Sequence, residues 1–555
     1  MQVVAYVLGL VASTAFFFRL QIASGFARQL SDRFDGVIEI SILEHWWNVV
    51  RGAAAWPDAF YFHPYTGTLA YNDGYLLYGL PYALFRWLGA DPFLGSELVN
   101  VTMRATGFAA MELFLRQCMM ARWQWSILGA VVFTVSNSIS LGAGHAQLLT
   151  VGFVPFFGWM TWRATRALGQ GDGRRLMIWG GSASVFMGAW LMTAYYSAWF
   201  TLFFLACFAG MAALAGPRHT LAAFRRMPVR AWLSLGVVVG VFVGSAAPFL
   251  WLYLPKAEAT GMHPYVNTLA YGTNKLDIVH VGDGNMLFGW ADHLVQGWSR
   301  PTLPPSGEHA TGQPPIILAV FACACLALWR SRHDLRDRPV LLLAATSALL
   351  WLLTLRVADF SAWRFVFDWA PGAKAVRVLV RYQIFMAVPL VATAIWHLNR
   401  IGVRRTAPYM AGLAALLVLE QVSLTPPVDL DRSAELARLR AFPRPPAACR
   451  SFFVSRARDT VSINPEIDAL YSDNVDAMLL AEWFQRPTIN GFSTFTPPDW
   501  DFAHAERPDY LLRVRAYAER HGLAGLCGVD LASRTWDTTP FDPAHRLQTG
   551  PPEAY

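Results

Sequence analysis

The chain has 555 residues, of which 55% are hydrophobic, 14% aromatic and only 15% charged, with a net charge of +7. Soluble domains are roughly 45–50% apolar and about 25% charged, so a soluble enzyme is excluded for most of this chain. Disorder is excluded as well, because 37 Phe and 23 Trp bury ample surface.

Apolar segments near or above the spanning length of ~18 residues predict membrane helices. They fall near 3–18, 97–115, 125–141, 148–163, 176–193, 198–216, 231–253, 314–329, 339–355, 377–398 and 407–424. The first lacks a basic flank and a small-residue cleavage site, and reads as a retained anchor. Four linkers are strongly basic: Arg163 to Arg175, Arg218 to Arg230, Arg330 to Arg338, and Arg400 to Arg405. The positive-inside rule puts all four in the cytoplasm. Counting 75–88 (YLLYGLPYALFRWL) as a span would place Arg163 to Arg175 outside. That segment is therefore expected to lie in the outer interface, where its Tyr residues suit the headgroup level. The fold class expected is an α-helical polytopic membrane protein of about eleven spans. Its N-terminus is inside, and two long outer loops cover 19–96 and 254–313. The positive charge is accounted for by cytoplasmic loops, and no nucleic-acid partner is expected; Lys occurs only at 256, 275 and 374.

After residue 424 the composition changes. Pro-rich stretches (PPVDLDRS, FPRPPAACR) lead into a charged tail, 425–555, in which 18 acids outnumber 14 Arg. Strand-like runs (SFFVS, LCGVDLA) alternate there with a helical pattern near 507–521. This predicts a small soluble α+β domain outside the membrane, following the domain 1–424. Four of the six Cys lie in or beside apolar segments. Cys449 and Cys527 lie in the tail and are able to pair if it is extracytoplasmic.

The first outer loop concentrates acids, His45, His63 and aromatics. Residues 37–50 carry apolar positions at helical spacing and suggest an amphipathic helix lying on the membrane. Asp35 sits at the mouth of the first span, beside the low-dielectric boundary. A carboxylate there acts as a general base once a hydroxyl comes within hydrogen-bond distance. Arg377 and Arg381 lie four apart on one helical face at the outer end of the tenth span. His145 and Gln147 occupy a short outer turn. Arg104 and Glu112 fall inside the second span, where charges are expensive and usually paired or functional. His280, Asp283 and Asp292 match no compact metal-ligand motif, so no metal site is assigned. HVGDGN belongs to no nucleotide-binding fingerprint.

An Asp just outside the first span is followed by an amphipathic His/Trp helix, then FHPYTGTLAYND and an interfacial helix containing LP. SNSISLGAGHAQLL, LDIVHVG, AVRVLVRYQIF and RPTINGFSTFTPPDW follow in that order. Each motif alone is weak, but the order is fairly specific. The pattern resembles the GT-C superfamily of polytopic membrane glycosyltransferases, especially its bacterial branch. The resemblance implies an enzyme of the bacterial inner membrane, with its C-terminal domain in the periplasm. Such an enzyme transfers a sugar from a polyprenyl-phosphate donor to a glycan, lipid or protein acceptor. It further implies Asp35 as base, Arg377 and Arg381 as holders of the donor phosphate, and His45, His63, Asp73, His145, Gln147, Asp277 and Glu308 as substrate-binding residues. Some members carry a DxD pair in the first loop. Here Asp32 and Asp35 have the wrong spacing, which leaves a divalent metal open. A transporter or lipid flippase would call for inverted repeats, and no repeat is found. A non-catalytic lipid-binding scaffold is the third reading.

Overall fold

The structure is a computed structural model that describes residues 1–225, 227–299, 307–401, 407–458 and 472–542. The basic linker Arg400 to Arg405 therefore lies largely outside the described residues. The chain divides into two compact units. One comprises Met1–Ser24, Asn100–Leu250 and Met262–Val428; the other comprises Gly25–Val99, Trp251–Gly261 and Asp429–Tyr555.

The first unit is helical. Each of the eleven apolar segments falls mainly on helix. Among the described residues, four helices are long and apolar enough to cross a membrane: Trp123–Gly142, Tyr195–Leu214, Val229–Thr260 and Leu379–Ile401. Gln2–Phe17, Pro315–Arg330, Arg338–Thr354 and Pro408–Leu419 are apolar but shorter. The most apolar window of Leu379–Ile401 is wholly buried. Its Tyr382–Ile401 portion packs on Pro315–Arg330, Arg338–Thr354 and Trp123–Thr134. Val229–Thr260 is the opposite case: only 11% of its most apolar window is buried, at mean hydropathy 2.1, which is the composition of a lipid-facing surface.

Between membrane helices, close packing and hydrogen bonds replace the hydrophobic effect as the source of association. Gly188 shows this. A Cβ there would run into the Ser245 carbonyl oxygen, so only glycine lets Gly173–Leu191 approach Val229–Thr260 this closely. The Ser245 hydroxyl donates to the Ser184 carbonyl at 2.8 Å, and the Ser184 hydroxyl donates to Val238 O at 3.2 Å. Asp172 begins Gly173–Leu191 by accepting from Arg175 N–H at 2.9 Å, a side-chain N-cap.

Polar contacts fix Asn285 and Gln313 to these helices. Glu420 is fully buried and accepts from Ile316 and Ile317 N–H, both at 2.8 Å. It thereby satisfies two of the N–H groups that the first turn of Pro315–Arg330 leaves without an intrahelical partner. Asn285 donates to Asn137 Oδ1 at 3.1 Å and to the Glu420 carbonyl at 2.8 Å. Gln313 donates to the Gln383 carbonyl at 2.7 Å.

Arg104 and Glu112 each find a partner from another helix. Arg104 is fully buried and donates Nε to Thr134 O at 2.8 Å, at the C-terminal end of Trp123–Thr134. Glu112 accepts from the Ser126 hydroxyl at 2.9 Å.

The second unit mixes helices and strands. Ser451–Arg456 pairs in parallel with Leu526–Asp530, which pairs antiparallel with Thr535–Asp537. Helices Ser472–Phe484 and Tyr510–Arg520 lie between the two parallel strands in sequence, as such a crossover requires. Phe453, Phe502 and Val514 are buried in the core of this sheet and its helices. Each full burial of this kind is worth about 1.5–3 kcal/mol. Cys449 and Cys527 form a disulfide, with Cα atoms 5.5 Å apart. Arg28–Gln29 pairs with Leu430–Asp431.

Asp35–Val50 is helical, but it is not the surface-lying helix that its spacing suggests. Twelve of its 16 residues are buried, because its polar residues meet partners on every side. Glu39 accepts from Ser96 at 3.0 Å. Glu44 accepts from the Tyr82 hydroxyl at 2.6 Å and pairs with Arg86. Asn48 donates to Glu482 at 2.8 Å. Segment 75–88 forms the helix Leu76–Trp87, with Tyr78, Gly79 and Tyr82 buried and Leu80, Leu84 and Trp87 exposed. Gly79 is obligatory, since a Cβ there would lie 2.6 Å from Trp46.

Candidate functional site

In the helical unit, the chain enters its most enclosed helix through a short 3-10 turn, Leu379–Arg381. Val376 to Arg381 is therefore irregular backbone, with N–H groups that need acceptors. Tyr196, at the start of Tyr195–Leu214, supplies one. Its hydroxyl accepts from Arg377 N–H at 2.8 Å and Val378 N–H at 3.2 Å. The two guanidiniums are held over aromatic faces: Arg381 lies 5.4 Å from the Tyr196 ring centre, and Arg377 lies 5.3 Å from that of Tyr271.

Arg381 makes a two-pronged pair with Glu308. Its Nε donates to Oε2 at 2.9 Å, and Nη2 donates to Oε1. His145 Nε2 lies 3.2 Å from the same Oε1. Burial works against the Glu308 charge, but Arg381 and then His145 outweigh it and hold the carboxyl well below its usual range. Among the described residues no carboxylate lies within 4 Å of the Arg377 guanidinium. His263 is buried nearby, and burial together with the Arg377 charge lowers its pKa to about 4. Its imidazole is therefore neutral near pH 7.

Asp277 is almost fully buried. It accepts from Asn274 N–H at 2.7 Å and sits 2.6 Å from His309 Nδ1. It thus anchors His309, the neighbour of Glu308. Gln147 lies two residues from His145 in the 3-10 turn Ala146–Gly152, and its carbonyl accepts from the Thr150 hydroxyl. His145, Gln147, Asp277, Glu308, Arg377 and Arg381 are thus all carried by the helical unit, with Glu308, His145 and Arg381 in direct contact. Sequence reasoning missed Tyr196, Tyr271, His263 and His309. The only sequence signal for Tyr196 is a Tyr-Tyr pair at the turn between two apolar helices.

Asp35, His45, His63 and Asp73 belong to the second unit. Asp35 is the first residue of its helix, where the positive end of the helix dipole favours a carboxylate. Its N–H donates to Asp32 Oδ1 at 2.8 Å, so Asp32 serves the turn. Tyr75 has φ 51° and lies where the charges of both Asp35 and Asp73 act on it. Its hydroxyl is buried and lies in the combined field of Glu39, Asp73 and Asp35, which pushes its pKa well above the ordinary value.

His45 is fully enclosed. Nε2 lies 3.0 Å from the Trp56 carbonyl, and Nδ1 lies 3.5 Å from Glu482. Burial opposes its protonation, but Glu482 outweighs that and raises its pKa. Its ring faces these partners rather than open space. His63 uses its backbone: N–H donates to Thr488 O at 2.8 Å, and its carbonyl accepts from the Tyr517 hydroxyl at 3.1 Å. Among the described residues, no group of three or more His, Cys, Asp or Glu is arranged to hold a metal ion.

No family model matches the chain, and no curated protein matches it. Among solved structures it is similar to the oligosaccharyltransferase of Archaeoglobus fulgidus in complex with zinc and sulfate, at 12% identity and TM-score 0.46. That match covers 87% of this chain and 62% of the archaeal one, so the chain spans less than two thirds of that protein's length. It is also similar to the oligosaccharyltransferase AglB of A. fulgidus in complex with an inhibitory peptide and a dolichol-phosphate. There the identity is 11% and the TM-score 0.49, over 94% of this chain and 69% of that one. Both likenesses are at low identity.

Proposed function

We propose that the protein is a GT-C-like membrane glycosyltransferase, which transfers a sugar from a polyprenyl-phosphate donor to an acceptor outside the cytoplasm. The observation that carries this reading is the pair of guanidiniums at Arg377 and Arg381. Both are seated on aromatic rings where the chain enters an enclosed apolar helix, and Tyr196 both underlies Arg381 and accepts from the Arg377 backbone N–H. Two cations there suit the phosphate of a lipid whose chain lies among the helices, and guanidinium geometry suits phosphate oxygens. Arg377 is the readier contact. Arg381 takes a phosphate oxygen when Glu308 yields one of its two bonds. His145 and Gln147 are assigned to the sugar or phosphate, and Asp73, His63, Asp277 and Glu308 to substrate placement.

In the reaction, Asp35 accepts the proton of an acceptor hydroxyl. The oxygen then forms a bond to the anomeric carbon, and the bond from that carbon to the phosphate oxygen breaks with its electron pair. Polyprenyl phosphate departs with the added negative charge, which the arginines stabilise. A phosphate leaves without a general acid, so one displacement with inversion suffices.

We also infer eleven membrane crossings, a cytoplasmic N-terminus and an extracytoplasmic tail in a bacterial inner membrane. The four basic linkers support this orientation, as does the Cys449–Cys527 disulfide, which persists in an oxidising compartment. The test is Asp35→Asn in the native host, with envelope glycan composition as readout. Loss of a glycan while the protein is still made and inserted is expected. An unchanged glycan profile would remove Asp35 as the base.

A further inference from the structure

A cavity of about 430 Å3 opens in the helical unit, away from Arg377 and Arg381 in sequence and function. This volume lies within the roughly 300–1,000 Å3 of small-molecule sites. Its polar lining comes from Gln2, Tyr6, Glu112 and Arg116, and its apolar lining includes Leu113 and Ile127. Both signs of charge are thus offered to one space.

Glu112 and Arg116 are one helical turn apart, yet the guanidinium Nε stands 3.7 Å from the carboxylate Oε1, beyond hydrogen-bond reach. Glu112 accepts from Ser126 through that same Oε1, and the Gln2 side-chain amide faces the Arg116 guanidinium. The carboxylate is 13% exposed and the guanidinium 34%. A carboxylate this enclosed in an apolar helix is costly and marks a functional position more often than not. The surroundings are those of a membrane interface. Trp159 donates its indole N–H to the neighbouring Gln117 at 2.9 Å, and Arg163 lies 4.8 Å from the ring centre of Trp179. Aromatic rings with arginines form such a belt at headgroup level.

We propose that this cavity binds the headgroup of a zwitterionic aminophospholipid of the phosphatidylethanolamine type. The lipid phosphate meets Arg116. The primary ammonium donates to Glu112, and the glycerol end of the chains runs along Leu113 and Ile127. One feature of the lining and the chemistry of two rival lipids select this class. A carboxylate beside a guanidinium matches a cation and an anion a few bonds apart. The quaternary ammonium of phosphatidylcholine has no N–H to give Glu112. Phosphatidylglycerol carries no cation, and its net negative charge is repelled by Glu112.

The test uses the intact protein, delipidated in detergent, with the three lipids titrated separately and adducts counted by native mass spectrometry. Phosphatidylethanolamine is expected to bind roughly tenfold more tightly than phosphatidylcholine, the size of one charge-assisted hydrogen bond, about 1.4 kcal/mol. Phosphatidylglycerol is expected to bind more weakly than phosphatidylethanolamine. Glu112→Gln retains an acceptor for Ser126 and is expected to bring phosphatidylethanolamine down to the phosphatidylcholine level. Arg116→Gln is expected to weaken both. Leu113→Trp fills the space without touching a charge and is expected to remove the preference independently. Free phosphoethanolamine, lacking chains, is expected not to compete; competition by it would overturn the assignment to a lipid. Equal binding of the three lipids, or a preference unchanged in Glu112→Gln, would overturn the proposal.

Discussion

Replacing Glu308 with Gln removes one charge from a pair that is 9% exposed on the Arg381 side and 18% exposed on the Glu308 side. Two unit charges about 4 Å apart attract by about 4 kcal/mol at an effective dielectric of 20. A glutamine keeps a neutral hydrogen bond worth about 1 kcal/mol. The expected net loss is therefore about 2–3 kcal/mol, somewhat below the roughly 3–5 kcal/mol of a fully buried pair that loses one partner. Unfolding of the purified protein, followed by Trp fluorescence, measures it for Glu308→Gln, Arg381→Gln and the double variant. The double variant should lose about 2 kcal/mol less than the sum of the singles. A coupling below about 0.5 kcal/mol would refute the reasoning. The pH dependence follows from the sign of the shift. The folded pKa of Glu308 is depressed, so its stabilisation is fully present above the unfolded value of about 4.3 and is lost as pH falls through the folded value. Ionisation of Glu308 should thus leave the wild-type advantage unchanged from pH 8 to pH 5.

Arg377→Gln should weaken binding of a polyprenyl-phosphate sugar about tenfold, since a charge-assisted bond to phosphate is worth about 1.5–3 kcal/mol; unaltered affinity would remove its role. Tyr196→Phe strips the acceptor from two backbone N–H groups and should cost about 1–3 kcal/mol of stability in the same unfolding experiment. Asp473 is buried, and burial, with Asp476 adding to it, pushes its pKa up to about 7. The folded state then holds a proton that the unfolded chain releases near pH 3.9, so stability falls as pH rises from about 4 to 7 and levels off above. Asp473→Asn should flatten that slope in unfolding measured across pH 4 to 8.

The helices are legible in the sequence because apolar runs are local signals. Arg377 and Arg381 are picked out as two cations before an apolar run, but the helical face expected of them is not formed: 376–378 are irregular, 379–381 are a 3-10 turn, and the α-helix begins only at Tyr382. Their partners are not legible. Glu308 is 73 residues from Arg381, His309 is 32 residues from Asp277, and no local pattern links either pair. The helix at 35–50 is recognised by its spacing, but its environment is misjudged. Its acids look like a solvated face, whereas Ser96, Tyr82, Arg86 and Glu482 take them or their neighbours from distant positions. Tyr196 carries no sequence mark of its role, because an aromatic at a helix end reads as an interface anchor. What it does depends on the irregular backbone at 376–381, which only the fold reveals.

The central claim is transfer of a sugar from a polyprenyl-phosphate donor. The measurement that meets it most directly uses the intact protein in liposomes, with a polyprenyl-phosphate sugar labelled in the sugar and an envelope fraction as acceptor. The account predicts labelled acceptor and released polyprenyl phosphate in equal amounts, with both lost in Asp35→Asn while donor binding remains. Donor that binds to the wild-type protein, or crosses between leaflets, with no sugar leaving its phosphate would contradict it.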